Sequence, residues 1–375
     1  MATQRIPHVP RPSRIRSYFA GRMGPPAIEP AALQEVLERF QLGATGAGKN
    51  LRLGRRSRNV ILATGTGPKF VKQYRPQWSA ETVRYGHSIL IRLEEAGFPA
   101  SRLVHTPDGA TWVSVGDGLF AIFDVIRGRN YASTYLRRND RMALTRVAAA
   151  TLARMHRTLE GFAPDGRHHL ALASPTGGHV RDVAWHAAKL DELRLRSASL
   201  EEPEAVECAS RLADGSGALL DTIAGLEDRL VDAPLPRLVI HGDYGLHNVI
   251  FPSPTVAVPV DFEVARLDWR VNDLISALGK HRFAGGEYDI AAMKGFLEGY
   301  VPVFPLTRDE LGLLPDAWRL YRLRAAVQYW NSYFETSGPT RKLRSALTAI
   351  DQATWIADHP EATARLGRVA EEAAA

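Results

Sequence analysis

The stretch HGDYGLHN, His241 to Asn248, and the DFE at 261–263 decide the fold. The run LPRLVI (235–240) leads into the first and the run VAVPV (256–260) into the second; both read as strands. Asp243 and Asn248 are five positions apart on a loop between two strands, and Asp261 follows Asn248 by thirteen, at the end of the next strand. Phosphoryl transfer asks little covalent chemistry of a protein. It needs a base to orient the attacking hydroxyl, oxygen ligands for a divalent cation, and positive charge on the phosphates. A short β-hairpin would bring Asn248 and Asp261 together as hard oxygen donors and leave Asp243 facing an acceptor. Asp and Asn are ordinary loop residues, because their side chains bond nearby backbone. It is the two fixed steps in a strand–loop–strand context that carry the chemistry.

Outward from this core, residues 30–41 (PAALQEVLERFQ) place Leu33, Val36, Leu37 and Phe40 at helical spacing. Strand-like runs follow at LRLG (51–54), NVILAT (59–64) and KFVKQY (69–74), the last two joined by a turn at Gly65–Pro68. A helix is expected at 79–96, closed by Gly97 and Pro99, then strands near 111–115 and 119–126 around the turn GDG. From 140 onward helical patterns dominate, at 142–159, 178–197, 203–230, 271–280, 288–300, 316–335 and again after 340.

The pattern H-G-D-x-x-x-x-N followed by D resembles the aminoglycoside phosphotransferase and choline kinase families. It differs from protein kinases because Gly242 stands between His and Asp and Glu263 takes the glycine position of D-F-G. The resemblance extends from about residue 30 to 335. It implies an α+β, two-lobed protein-kinase-like fold, with a small antiparallel β-sheet lobe and a larger, mainly helical one. Its parts would be a basic N-terminal tail (1–27), a nucleotide-binding lobe (28–127) and a catalytic and substrate lobe (128–375). It implies Asp243 as catalytic base, Asn248 and Asp261 as Mg2+ ligands, ATP as donor, and His241 as a brace of the loop. Strand alternation sets Phe70, Lys72 and Tyr74 on one face and Lys69, Val71 and Gln73 on the other. The family pattern puts the phosphate-holding lysine at Lys72, and Lys69 reads as an edge-strand lysine kept for solubility. Gly54 and Asn59 match the family's loop over the phosphates. Backbone groups at Asp124 and Ile126 match its adenine-binding hinge. Asp273 reads as a helix N-cap and brace below the catalytic loop. One departure stands out: Gly86 occupies the place of the helix glutamate that pairs with the lysine, and Glu81 lies about 140° of helix rotation away from it.

Length and composition agree with this frame. With 375 residues, 45% hydrophobic and 23% charged, the chain suits two cores rather than one. A single cysteine, Cys208, excludes an intrachain disulfide. No apolar run is long enough to span a bilayer and the first residues carry no continuous apolar stretch, so a cytoplasmic protein without a membrane partner is expected. The net charge of +6 is concentrated in Arg5, Arg11, Arg14, Arg16 and Arg22, ahead of the first acid at Glu29; it reads as a solvated tail and not as a nucleic-acid surface. GATGAGKN (43–50) imitates a phosphate-binding loop, but Asn50 replaces the magnesium-binding hydroxyl and the flanking helix and strand come in the wrong order. Residues 201–232 carry nine acids against Arg211 and Arg229, either a receiver of cationic substrates or two solvated helix faces. The expected function is transfer of the γ-phosphate of ATP to a hydroxyl of a small molecule: an antibiotic, a sugar, an amino alcohol or a hydroxyamino acid. A kinase for Ser or Thr in a peptide and a nucleotide-binding pseudokinase are the alternatives, the missing glutamate at Gly86 being the one feature that favours the latter.

Overall fold

Pro30 opens the first helix, α1 (Pro30–Arg39), where its fixed φ suits the first turn and its missing N–H costs nothing. The computed structural model describes residues 28–43, 49–51, 57–131, 137–174, 176–279, 283–284, 287–288, 290–335 and 338–374. The basic segment 1–27 and Gly54 therefore lie outside the described residues, as does most of the GATGAGKN stretch. Two compact units divide the chain, one within Met1–Gln77 and His105–Ile122, the other within Trp78–Val104 and Phe123–Ala375.

The first unit is built on an antiparallel sheet of β1 (Lys49–Leu51), β2 (Arg58–Thr64), β3 (Gly67–Gln73), β4 (Val113–Val115) and β5 (Gly118–Asp124), in the order β1-β2-β3-β5-β4. Gly67 closes the β2–β3 hairpin at φ 104°, a conformation glycine adopts without strain. The central strand is β3, paired to β2 along its whole length and continued toward β5 by Tyr74 N–H to the Leu119 carbonyl, 2.8 Å. That position corrects the expectation for Lys69: it is not on an edge, and at 8% exposure it is as buried as Lys72. A strand paired on both sides buries lysine stems whichever face they leave by.

The second unit is mainly helical. Ser79 caps α2 (Ala80–Glu95) and Asp182 caps α4 (Val183–Ser197), each accepting a backbone N–H of the first turn; between them runs α3 (Arg138–Thr158). The single helix expected over 203–230 is two, α5 (Pro203–Asp214) and α6 (Ser216–Val231), because the Ser216 hydroxyl takes the Ala213 carbonyl at 2.7 Å and closes α5 at Gly215. Four short strands follow: β6 (Arg237–Ile240), β7 (Val249–Ser253), β8 (Val256–Pro259) and β9 (Arg266–Trp269). The β7–β8 hairpin is nested inside the antiparallel β6–β9 pair. The chain then runs through α7 (Arg270–Leu278), every residue of which is buried, α8 (Ile290–Tyr300), α9 (Arg308–Glu335), α10 (Arg341–Asp358) and α11 (Pro360–Ala374). None of the described helices is long and apolar enough to cross a membrane.

Helix α9 starts at Arg308, well before the expected 316. Pro315 inside the helix hides the earlier turn from a periodicity reading, but TRDE at 307–310 is a capping box. Glu310 N–H bonds Thr307 Oγ1 at 3.1 Å, and Thr307 N–H bonds Glu310 Oε2 at 2.9 Å. Glu310 also pairs through both oxygens with the buried guanidinium of Arg270, Nε to Oε1 at 2.7 Å, which ties the start of α7 to the start of α9. Glu310→Ala should lower stability by about 3–5 kcal/mol, since it leaves a buried cation without its partner. Chemical denaturation would measure this loss. The double change Arg270→Met with Glu310→Leu should recover most of it, and no recovery would mean the pair contributes more than charge compensation.

Candidate active site

Strand β6 delivers His241 into a fully buried position, and the chain turns at Gly242 with φ 78°. A Cβ at Gly242 would lie 2.5 Å from the Val264 carbonyl and against Arg266 Nη1, so both conformation and space require glycine between His and Asp. The turn is held from below by Asp273, which is fully buried. Its Oδ2 accepts His241 N–H at 2.6 Å and its Oδ1 accepts Gly242 N–H at 2.7 Å. Asp273 lies in the first turn of α7 but does not cap it, for no side chain caps that helix. The expected brace is present, and the expected cap is not. His156 Nε2 meets Asp273 Oδ2 at 3.0 Å, and Tyr300 Oη meets His156 Nδ1 at 2.7 Å.

The charges of this chain of groups are consistent with one another. Burial pushes the His156 imidazole down, so it is neutral, and burial pushes the Tyr300 phenol up, so it keeps its proton. Burial alone would raise Asp273, but the bonds from His156 and the His241 amide hold it below its ordinary value. Tyr300 O–H therefore donates to Nδ1 and His156 Nε2–H donates to a carboxylate. His241 completes the loop: its Nε2 bonds the Val260 carbonyl at 3.0 Å and its Nδ1 accepts Asp243 N–H at 3.4 Å.

Asp243 and Asn248 are brought together directly. Asn248 Nδ2 donates to the Asp243 carbonyl at 3.0 Å and to Asp243 Oδ2 at 3.2 Å, and His247 Nε2 approaches the same Oδ2 at 3.4 Å. With its amide hydrogens so used, Asn248 has only the hard oxygen Oδ1 to offer a ligand. Val260 N–H bonds the Asn248 carbonyl at 2.9 Å, extending the β7–β8 register from Val249↔Pro259, so Asp261 stands at the same end of the hairpin as Asn248. Asp261 adopts a left-handed conformation, φ 67°, ψ 61°, which costs a non-glycine residue about 1–2 kcal/mol and turns its exposed carboxylate out of the strand direction.

Three supports escaped the sequence reading. Asn130 Nδ2 reaches the carbonyls of Leu246, His247 and Val249 at 2.8–3.1 Å and so pins the loop between Asp243 and Asn248. Tyr85 on α2 accepts Leu267 N–H at 2.8 Å. His168 Nε2 donates to the Glu263 carbonyl at 3.2 Å while its Nδ1 accepts Leu170 N–H. Together Tyr85 and His168 grip the segment that follows Asp261. Gly86 lies one residue along α2, and a Cβ there would sit 3.6 Å from the Phe262 carbonyl, in ordinary contact. Glu81 pairs with Arg84 on its own helix, Oε1 to Nη1 at 2.5 Å.

In the first unit, Asn59 and Lys72 are direct cross-strand partners, and Lys72 Nζ lies 5.5 Å from the centre of the Tyr74 ring. The Asp124 amide is taken by the Arg102 carbonyl at 3.0 Å, so a base could use Asp124 only through its carbonyl. Of the acids at 201–232, Glu202 caps α5, Glu204 pairs with Arg344 at 2.8 Å and Glu227 with Arg324 at 2.8 Å. Several of these charges are therefore spent within the fold.

Residues 48–314 match the model of a family described as the phosphotransferase enzyme family. The homoserine kinase of Caulobacter vibrioides (strain NA1000 / CB15N) is 28% identical over 301 residues, covering 78% of this chain and 86% of that protein. The homoserine kinase of Phenylobacterium zucineum (strain HLK1) is 28% identical over 284 residues, covering 76% and 79%. Among solved structures, an amicoumacin kinase in complex with AMP-PNP, Ca2+ and Ami superposes with a TM-score of 0.61 at 13% identity, covering 86% of this chain and 92% of that one. A microcompartment-associated aminopropanol kinase does so with 0.57 at 15%, covering 92% and 98%. These likenesses identify the fold as the protein-kinase-like one.

Two outcomes follow from this geometry. Gly242→Ala should destabilise the protein by about 1–2 kcal/mol or more through φ alone, and an unchanged unfolding midpoint would show that the turn can relax. Buried neutral histidines should make stability fall on the acid side. Burial lowers His156, His168 and His179 (the last two to about 3) and His186 to about 4, whereas the unfolded chain protonates them near 6.5. Stability is thus whole above pH about 6.5 and declines below it, by up to about 1.4 kcal/mol per pH unit for each histidine. Urea midpoints at pH 7.5 and 5.0 should separate accordingly, and His168→Gln should narrow the gap; an unchanged gap would show that His168 takes up its proton while folded.

Proposed function

We propose, because the chain belongs to the phosphotransferase enzyme family, that it moves the γ-phosphoryl group of ATP to the hydroxyl of a small amino-bearing acceptor, a hydroxyamino acid of the homoserine class, with Asp243 as the base. The observation that carries this is the bonding of Asn248 to Asp243, which fixes a half-exposed carboxylate beside a hard oxygen donor. The acceptor hydroxyl would donate to Asp243. Its proton passes to the carboxylate as the new O–P bond forms and the bond from the γ-phosphorus to the bridging oxygen breaks, releasing ADP. Asn248 Oδ1 and the Asp261 carboxylate suit Mg2+, which takes a few hard oxygens and completes its shell with phosphates and water. The metal, when bound, neutralises charge on the β and γ phosphates. Asp273, Asn130 and His241 hold the loop, and Tyr85 and His168 hold the turn after Asp261, so the two reacting segments are preorganised before the acceptor arrives. Lys72 and Asn59 are assigned to the nucleotide phosphates, and the Asp124 carbonyl with the Ile126 amide to the adenine.

The choice of acceptor rests on the relatives. The Caulobacter and Phenylobacterium relatives are named homoserine kinases, and the structural neighbours include an aminopropanol kinase and an ethanolamine kinase. Among the described residues, no feature of the site favours a peptide. The test is phosphate transfer from labelled ATP to L-homoserine, ethanolamine, 3-aminopropan-1-ol and an aminoglycoside. L-homoserine is expected to be the best acceptor, and Asp243→Asn to lower its turnover about a hundred- to ten-thousand-fold with little change in ATP affinity. Near-full turnover by Asp243→Asn would remove Asp243 as the base, and preference for the aminoglycoside would remove the hydroxyamino acid.

A further inference from the structure

A hydroxyamino acid brings a carboxylate into the site, and none of the residues assigned so far would receive it. We propose that Arg181 is the anion subsite of this enzyme, its guanidinium receiving the carboxylate of the acceptor; the proposal rests on the acceptor class given above. Three observations converge on Arg181.

The first is its pairing. The other arginines buried in this region have carboxylate partners: Arg266 with Asp268 and Arg324 with Glu227, both at 2.8 Å, and Arg270 with Glu310. Arg181 has none among the described residues. Its side chain makes one hydrogen bond, Nη1 to the neutral amide oxygen Oε1 of Gln328 at 2.8 Å. The group is half-buried, and loss of hydration lowers its pKa; the exposed Glu335 offsets part of this from a distance and Arg266 adds to it. A partly desolvated cation without a carboxylate in contact is a standing demand for an anion.

The second is its position. The charge of Arg266 is felt at Arg181, and that of Arg181 at His168. Arg266 lies against Gly242 of the HGD turn, and His168 holds the Glu263 carbonyl two residues after Asp261. The segment that carries Arg181 is fastened to β9 by Leu172 N–H to the Leu267 carbonyl at 3.0 Å and by the Leu172–His179 bridge. His179 Nε2 is 3.2 Å from Asp268 Oδ1. Arg181 is therefore carried by a segment fastened to β9, the strand that follows the DFE turn.

The third is its rigidity. The guanidinium lies over the Trp185 ring, 4.6 Å from its centre, and Trp185 is held by the Asp182 cap, Asp182 Oδ1 to Trp185 N–H at 2.9 Å. A guanidinium stacked on one face and bonded at one nitrogen keeps its remaining N–H groups in a fixed fork that matches a carboxylate.

The experiment compares L-homoserine with 3-aminopropan-1-ol, which is homoserine without its carboxylate, in the wild type, Arg181→Gln and Arg181→Lys. The wild type should prefer homoserine. Arg181→Gln should raise KM for homoserine about a hundredfold, leave kcat and the KM for ATP near their wild-type values, and leave turnover of 3-aminopropan-1-ol unaltered, so that the preference disappears. Arg181→Lys should restore part of it. Equal losses on both acceptors, or no loss on either, would overturn the subsite while the kinase reading stands. A matching rise in KM for ATP would assign Arg181 to the nucleotide phosphates and overturn it too. A wild type that phosphorylates the aminoglycoside and neither of these two acceptors would instead overturn the acceptor class.

Discussion

One buried carboxylate sets the geometry on which the site depends. Asp273 accepts the amides of His241 and Gly242, two consecutive N–H groups that would otherwise be left unsatisfied at a tight turn in the interior. A carboxylate with no exposure is expensive to keep charged, and the protein offsets this with three hydrogen bonds, two from amides and one from His156. The result is a turn whose direction is fixed from α7. Asp243, one residue on, takes its backbone position from that turn, and Asn248 and His247 then hold its carboxylate.

The same logic recurs around the segment after Asp261. A left-handed, non-glycine residue persists only where its neighbours hold it. Tyr85 and His168 supply the hold, one from α2 and one from the loop before α4. The grip on Leu267 and Glu263 is made by neutral groups, so it does not depend on the ionic state of any ligand, and it makes α2 a structural partner of the DFE turn even without a glutamate at Gly86. Gly86 itself leaves ordinary contact distance to the Phe262 carbonyl, so its presence is not explained by crowding.

The buried arginines of the second unit show how much of its charge is committed to architecture. Arg270 and Glu310 join two helix starts, and Arg324 meets Glu227 between α9 and α6. Acids at 201–232 that look in sequence like a surface for cationic substrates are in part such internal partners, with Glu202 and Glu204 also turned toward Thr340 and Arg344. Arg181 differs because it makes no ion pair among the described residues: an amide bonds it and an indole lies beneath it, while Glu335 and Arg266 act on it electrostatically.

The local pattern of residues determined a good deal here. The HGD-to-Asn step, the DFE, the strand–loop–strand context and most helices follow from chemistry and periodicity that are local in the chain, and so they could be read there. The departures are local features too, but faint ones: the capping box ahead of Pro315 and the break at Gly215 that separates α5 from α6. What only the tertiary structure decided is everything that depends on distant segments meeting. Asn130 bonds carbonyls 116 to 119 residues away, Tyr85 an amide 182 away and His156 a carboxylate 117 away. Lys69 turned out to be central because β5 pairs with β3 across an intervening helix. Such partners share no spacing rule, since a hydrogen bond is satisfied by any group that packing brings within reach, and packing is a property of the whole fold.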